Sequence, residues 1–501
     1  MIGGLNRGRR SLLFGLSALG IFASGTSGTW AEPLAESELA ALRAEVQALR
    51  NEVAAAKAQA AGAAAQAASV KQAAEESVPD LKVKWKGAPE LSSGDGKFKM
   101  KVRGRLHTDY NAIDQDEAIT GRPDVSAAEI RRARLGVEGV VWYDVKYIAE
   151  VDFANDAVSL KDAYFEYTGL ADGLGLRVGN FKTFNSLDQL NSSNYRTFME
   201  TPALVEAWGI DRQIGAAAIY AKDHYTLSAG IFGPFSVNDE RWLEDVKTGS
   251  ARVTVAPINR DVNGVHQVVH FGGSWRGREQ AEHLRTDPLD PLDDQFFQYR
   301  ARGADLHLAD RFVSTPQIFD RDTFWGLEAL LIWQSFHVQA EYTQLEADVS
   351  PLFLGSDPTY TGWYVDVGWF ITGETQSYQY GVFGRPKVKN PVIWSKGGGW
   401  GAWQLTGRYD VLDLTDGALT LQGNTAGISP QPTSVNCTLC GEQTTWMVGV
   451  NWWLNDYSRI QFNYGESEIE GGALLLADGS SANRSDGANI KGFGTRFQVD
   501  W

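Results

Sequence analysis

The chain has 501 residues, 43% of them hydrophobic, with a formal net charge of −16. That acid excess excludes a nucleic-acid partner, whose phosphates require clustered cations. It leaves anion transport open, because acids on distant loops enter the total while only the local potential steers an ion.

In chain order, Arg7, Arg9 and Arg10 precede an apolar run from Leu12 to Ala23, and Thr29-Trp30-Ala31 places small residues before Glu32. This pattern predicts a secretory signal peptide over residues 1–31, cleaved on export. No later stretch approaches the ~20 uninterrupted apolar residues of a transmembrane helix, so none is expected. Residues 37–77 are rich in Ala, Glu, Gln and Lys. Steps of three and four link Leu39, Leu42, Val46, Leu49, Val53, Ala56, Ala60, Ala63, Ala67, Val70 and Ala74 into one seam. That spacing predicts a periplasmic coiled-coil helix that oligomerises or touches the cell wall. Residues 78–96 gather Pro, Gly, Ser and charge without a period and read as a linker.

From residue 97 onward the pattern alternates with a period of two. The terminal run is the plainest case: Phe493, Thr495, Phe497, Val499 and Trp501 face one way, and Gly494, Arg496, Gln498 and Asp500 the other. Alternating runs begin at 98 and recur near 130–143, 144–153, 158–168, 174–182, 212–221, 224–233, 266–276, 296–306, 323–333, 335–346, 359–371, 400–411, 443–454, 457–467 and 489–501. Short connections at 143–144, 169–173, 221–223, 333–335 and 455–456 fall on one side, and long ones at 183–211, 234–265, 412–442 and 468–488 on the other. The expected fold is all-β, a transmembrane antiparallel barrel of about sixteen strands over 97–501. Its apolar face would meet outer-membrane lipid and lipopolysaccharide. The stretches 277–295 and 372–399 strain the scheme as long periplasmic turns, and Gln379 to Phe383, a tempting extra strand, is rejected on parity.

Projecting the period inward gives the candidate anion contacts. Lys99, Lys101, Arg103 and Arg105 share a face of the first strand, Arg132 and Arg134 a face of the second, and Arg300 and Arg302 a face of the run at 296–306. His270, Arg276, Arg278 and Arg408 also project inward. A guanidinium fork suits oxyanions, and same-side residues ~7 Å apart would pass a small inorganic anion along. The alternative is an ordinary charged lumen in which these arginines pair with Glu138, Asp144, Glu150, Asp152 and Glu341. The segment 183–211, with Asp188, Arg196 and Glu200, is a candidate constriction loop.

Four stretches in order carry a family resemblance: Ile130 to Gly139 (IRRARLGVEG), Lys161 to Gly169 (KDAYFEYTG), Val178 to Lys182 (VGNFK) and Trp446 to Asn455 (WMVGVNWWLN). In order and spacing the chain resembles the phosphate-selective porin O and P family from about Phe98 to Trp501. The resemblance implies a sixteen-stranded homotrimeric porin of the Gram-negative outer membrane, conducting phosphate or related anions. It further implies that Arg131, Arg132, Arg300 and Arg302 line the anion path. The family's further ninth-strand arginines fall near Ala304 and Leu306 here, a departure that weakens the implication of strict phosphate specificity. Strand parity points Arg131 outward, so it requires a bulge or a place at the rim.

Cys437 and Cys440, the only two cysteines, sit in a long loop and are expected to form a disulfide clip. No further ligands accompany them for a metal, and no cofactor is expected. No nucleophile elbow or zinc-protease helix appears, so a channel is expected rather than an enzyme. The remaining alternatives are a general charged-solute porin, an envelope tether or adhesin anchored by the barrel, and an outer-membrane hydrolase.

Overall fold

The computed structural model describes residues 36–77, 81–154, 157–233, 247–280, 296–351, 356–416, 440–475 and 481–501. The expected signal peptide lies outside them. The chain divides into two units, residues 1–78 and 79–501. In the first, Glu36–Ser77 is one continuous helix, as its composition requires. Every described side chain on it is exposed, including the seam residues Leu39, Leu42, Val46, Leu49 and Val53.

The second unit is a closed antiparallel barrel of sixteen strands: β1 (Phe98–Asp114), β2 (Val125–Val141), β3 (Val145–Asp152), β4 (Ser159–Tyr167), β5 (Leu174–Lys182), β6 (Arg212–Lys222), β7 (Tyr225–Phe232), β8 (Lys247–Val262), β9 (Val265–Glu279), β10 (Phe319–Trp333), β11 (Phe336–Val349), β12 (Thr359–Phe370), β13 (Ala402–Asp413), β14 (Glu442–Asn455), β15 (Ser458–Glu470) and β16 (Asn489–Asp500). Closure comes from β16 pairing back onto β1, from Lys491 opposite Asp114 to Asp500 opposite Arg105. Every barrel strand therefore has two neighbours, which satisfies the backbone donors and acceptors that lipid cannot. The pleat sets the two faces: on β10, Trp325 and Leu327 are exposed outward while Phe324 and Glu328 are buried inward. Trp142, Tyr143, Trp333, Phe336 and Trp369 lie exposed at the short-turn end, where an interfacial girdle belongs.

Three expectations are corrected. Lys247–Val262, expected within a loop, is a full barrel strand. Its alternation is broken at Ala256-Pro257, where the ladder to β9 shifts register between Val255 and Ile258. Proline cannot donate to the ladder, so it marks a bulge there and hides the period. The run 296–306 is not a barrel strand. Only Arg300–Arg302 is extended, and it pairs with Arg311–Ser314 in a separate two-stranded arm. Its alternation is real, but Tyr299 and Ala301 enter an internal apolar core rather than lipid. The two errors offset each other in the strand count, and they also explain the strained turn. Residues 263–264 now form the short turn, so strands β9 and β10 are joined at the long-loop end. Finally, the stretch read as a linker contains a hairpin, Leu81–Lys86 with Ala88–Ser93, turning at Gly87 with φ of 74°. Its second strand pairs with the start of β1, Leu91 opposite Met100.

The lumen is filled on one side. The 183–211 segment and the 296–318 connection fold inward and bury Leu204, Trp208, Tyr299, Leu306 and Phe312 against Phe324, Tyr364 and Ile469 of the wall. Toward the short-turn end the segment between β12 and β13 sends in a small hairpin, Ser377–Gln379 with Val382–Gly384. Its Tyr378 and Phe383 pack with Leu187, Val268, Leu330 and Ile332. This hairpin stays out of the barrel sheet, in agreement with its rejection as an extra strand.

Candidate functional site: a cationic cavity along one wall

With the lumen packed opposite, open space remains along β1 to β5. A cavity of about 630 Å³ lies there, lined among the described residues by eleven arginines and lysines against six carboxylates. The strands reach this density through two bulges. Opposite His107 and Thr108, β2 carries one extra residue, Arg131, between Ile130 and Arg132. Opposite Glu150, β4 carries two, Lys161 and Asp162. A bulge turns consecutive side chains to one face, so Arg131 joins Arg132, and Lys161 joins Asp162, in the cavity lining.

Most of these cations are held by carboxylates. Glu150 is fully buried and shared by Arg103 at 3.2 Å, Arg105 at 3.3 Å and Arg134 at 3.3 Å. Arg103 also reaches Glu138 at 2.8 Å, and Arg134 reaches Asp152 at 2.8 Å. Arg212 forks onto Asp162 at 2.8 and 3.1 Å. Glu200 of the inward loop faces Arg131, Arg132 and Arg496. Burial opposes ionisation of its carboxyl, but these three guanidinia outweigh that and hold it well below the usual carboxylate range. Asp305, in the turn after Arg302, is pushed up to about 6 by burial, against the pull of Arg408 at 3.0 Å.

The loop carrying Glu200 crosses the lumen and is fastened to the far wall. Glu341 accepts from Ser186 Oγ at 2.9 Å and from the backbone N–H groups of Leu187 and Asp188 at 3.0 and 2.9 Å. Asp188 pairs with Arg196 at 3.0 Å and stays off the cavity, whereas Arg196 lines it.

Of the sequence candidates, the cavity unites Arg103, Arg105, Arg131, Arg132, Arg134 and Arg302 with Arg196 and Glu200. Lys99 and Lys101 sit nearer the short-turn end in a second recess of about 220 Å³, with Lys99 paired to Glu90 at 3.2 Å. Arg302 is bound by Glu206, and Arg300 is exposed and off the cavity. Arg276 and Arg278 pair with Asp322, Arg408 with Asp366 and Asp305, and His270 with Glu328; none of these four cationic or imidazole side chains lines the cavity, although Asp305 does. Cys437 lies outside the described residues. Sequence reasoning missed Lys161, Arg177 and Lys182 as lining residues. The adjacency of Lys161 and Asp162 within an alternating strand is the signal that would have exposed the bulge. Lys182 donates to the carbonyls of Gln189 and Asn191. Among the described residues, Lys161 is the one lining cation whose side chain has no bonded partner.

The sequence matches the model of the phosphate-selective porin O and P family over residues 100–500. The chain belongs to that family. It is an outer-membrane porin. An uncharacterised protein of Caulobacter vibrioides is 30% identical over 438 residues, covering 85% of this porin and 79% of that protein. Porin O of Pseudomonas aeruginosa is 27% identical over 427 residues, covering 78% and 88% respectively. Among solved structures, the anion-selective porin of Comamonas acidovorans aligns with a TM-score of 0.49 at 10% identity, covering 81% of this porin and all of that chain.

Proposed function

We propose that this porin is a passive channel for small anions, that its path follows the β1 to β5 wall, and that inorganic phosphate is among the ions it passes. The observation that carries the reading is the cation excess of the cavity lining, set on one wall while packed loops occupy the other side of the lumen. A wall of guanidinia offers many shallow sites, which is the condition for an ion to enter and also leave. The family's description names phosphate, which makes it the first anion to test. A second reading, a charged-solute porin without phosphate preference, is favoured by the pairing of nearly every lining arginine with a carboxylate. We place the barrel in outer-membrane lipid beside lipopolysaccharide, as a homotrimer.

Reversal potentials in planar bilayers under a potassium chloride gradient test the first claim. Anion preference is the expected result, and cation preference would end the reading. Titrating phosphate against the chloride current then separates the two readings: saturable block supports a phosphate site, and its absence leaves the general channel.

A further inference from the structure

The cradle formed by Arg131, Arg132 and Arg496 is occupied by a carboxylate of the protein itself. Arg131 presents Nε and Nη2 to the two oxygens of Glu200 at 3.0 and 2.9 Å. Arg132 stands 3.3 and 3.4 Å from the same oxygens, and Arg496 Nη2 is 2.6 Å from Oε1. A fork with two flanking guanidinia is how proteins hold a free carboxylate or phosphate. We propose that Glu200 is a tethered pseudo-ligand, competing with each passing oxyanion for this cradle and so keeping its residence short. The inference rests on the anion-channel reading.

Two features favour competition over simple bracing. First, the backbone around Glu200 is secured without its carboxylate. Met199 N–H donates to Asn463 at 3.0 Å, Arg408 donates to the Glu200 carbonyl at 3.2 Å, and Ala203 N–H donates to Asp410 at 2.6 Å. The side chain can swing away while its Cα stays in place. Second, the arginines it would vacate face the passage. Arg496 remains forked onto Asp109 at 2.7 and 2.6 Å, but Arg131 has no other ion-pair partner among the described residues, and both Arg131 and Arg132 line the cavity. An incoming oxyanion that displaces Glu200 would inherit two guanidinia. When it leaves, the tethered carboxylate returns at an effective concentration of roughly millimolar or above.

The test uses the full-length porin in planar bilayers, with inorganic phosphate titrated against chloride current for wild type, Glu200→Gln and Glu200→Asp. Removing the competitor should lower the half-blocking phosphate concentration about tenfold in Glu200→Gln, the scale of one charge-assisted contact. Glu200→Asp keeps the charge but is one methylene short of the cradle, so about a threefold shift is expected if fit to the guanidinia matters. This variant carries the test should Glu200→Gln fail to assemble. Unchanged or weakened block in the variants, with an anion-selective wild type, overturns the pseudo-ligand and leaves the channel reading standing. A cation-selective wild type overturns both.

Discussion

Lys161 is the sharpest probe of the passage. Its ammonium lines the cavity, yet no carboxylate lies within ion-pair distance of it among the described residues, whereas neighbouring arginines share Glu150, Asp152 and Asp162. A unit charge 4 Å from a permeating anion contributes ~1 kcal/mol in bulk water and ~4 kcal/mol at an effective dielectric of 20. A water-filled passage against a protein wall falls toward the lower bound, and ~1.4 kcal/mol corresponds to a tenfold change in affinity. Lys161→Met keeps the chain length and removes the charge, so it should raise the half-blocking phosphate concentration about tenfold. Lys182→Met is the comparison: it removes the same unit charge, but that ammonium's donors are already engaged by the carbonyls of Gln189 and Asn191 and are not free to bind an oxyanion, so it should matter less for block. Planar-bilayer block of chloride current reads both variants, with heat-dependent gel mobility confirming a folded barrel. Block by phosphate within twofold of wild type in Lys161→Met would refute a role for this ammonium, and equal shifts in the two variants would refute the idea that a cation with free donors, rather than total charge, sets affinity.

Asp305 supplies a pH dependence. Burial pushes its carboxyl up to about 6 and it lines the cavity, so it is neutral below that pH and negative above it. The anion-to-cation permeability ratio should therefore fall as pH rises through about 6, and Asp305→Asn should flatten the step; an equal step in the variant would assign it elsewhere. Glu341→Ala should release the crossing loop, since it leaves the Leu187 and Asp188 N–H groups and Ser186 Oγ without their acceptor. Each orphaned group costs ~1–3 kcal/mol, enough to make residues 183–211 protease-sensitive and conductance noisier; an equally resistant loop would contradict the fastening role. Excision of residues 36–77 should reduce detergent-resistant trimers, as read by gel mobility and mass photometry, because the apolar seam is exposed along the helix. Undiminished trimers would remove the seam from assembly.

The barrel was legible because lipid imposes a period of two on every spanning strand, and the terminal run from Phe493 to Trp501 states that rule plainly. What alternation cannot report is the identity of the medium on the apolar side. Tyr299 and Ala301 alternate with Arg300 and Arg302 as a lipid-facing strand would, yet their apolar face meets the packed interior of the lumen. The reverse error at β8 has a local cause, since Pro257 interrupts the pattern of a genuine strand. Bulges sit between these extremes. Parity alone sent Arg131 outward, but a charge pair inside an alternating strand is itself a sign that one residue has been inserted, and both Arg131-Arg132 and Lys161-Asp162 obey it.

The charge state of the passage was the least legible property, for a reason that reaches beyond this wall. A strand's own sequence gives the number of guanidinia it turns inward. Their field depends on which carboxylates return from far along the chain, and Glu200 reaches Arg131 from 69 residues away while Arg496 joins them from 296 residues beyond Glu200. Those meetings are arranged by Glu341 of β11, Asp410 of β13 and Asn463 of β15, ordinary polar residues whose task is to fasten one loop to the barrel wall at several points. The arginine-rich signature therefore gives where the cations stand on the wall, and the path of the inward loop decides which of them are answered by a carboxylate. Affinity in such a channel should thus respond as strongly to residues that steer the 183–211 segment as to the arginines themselves.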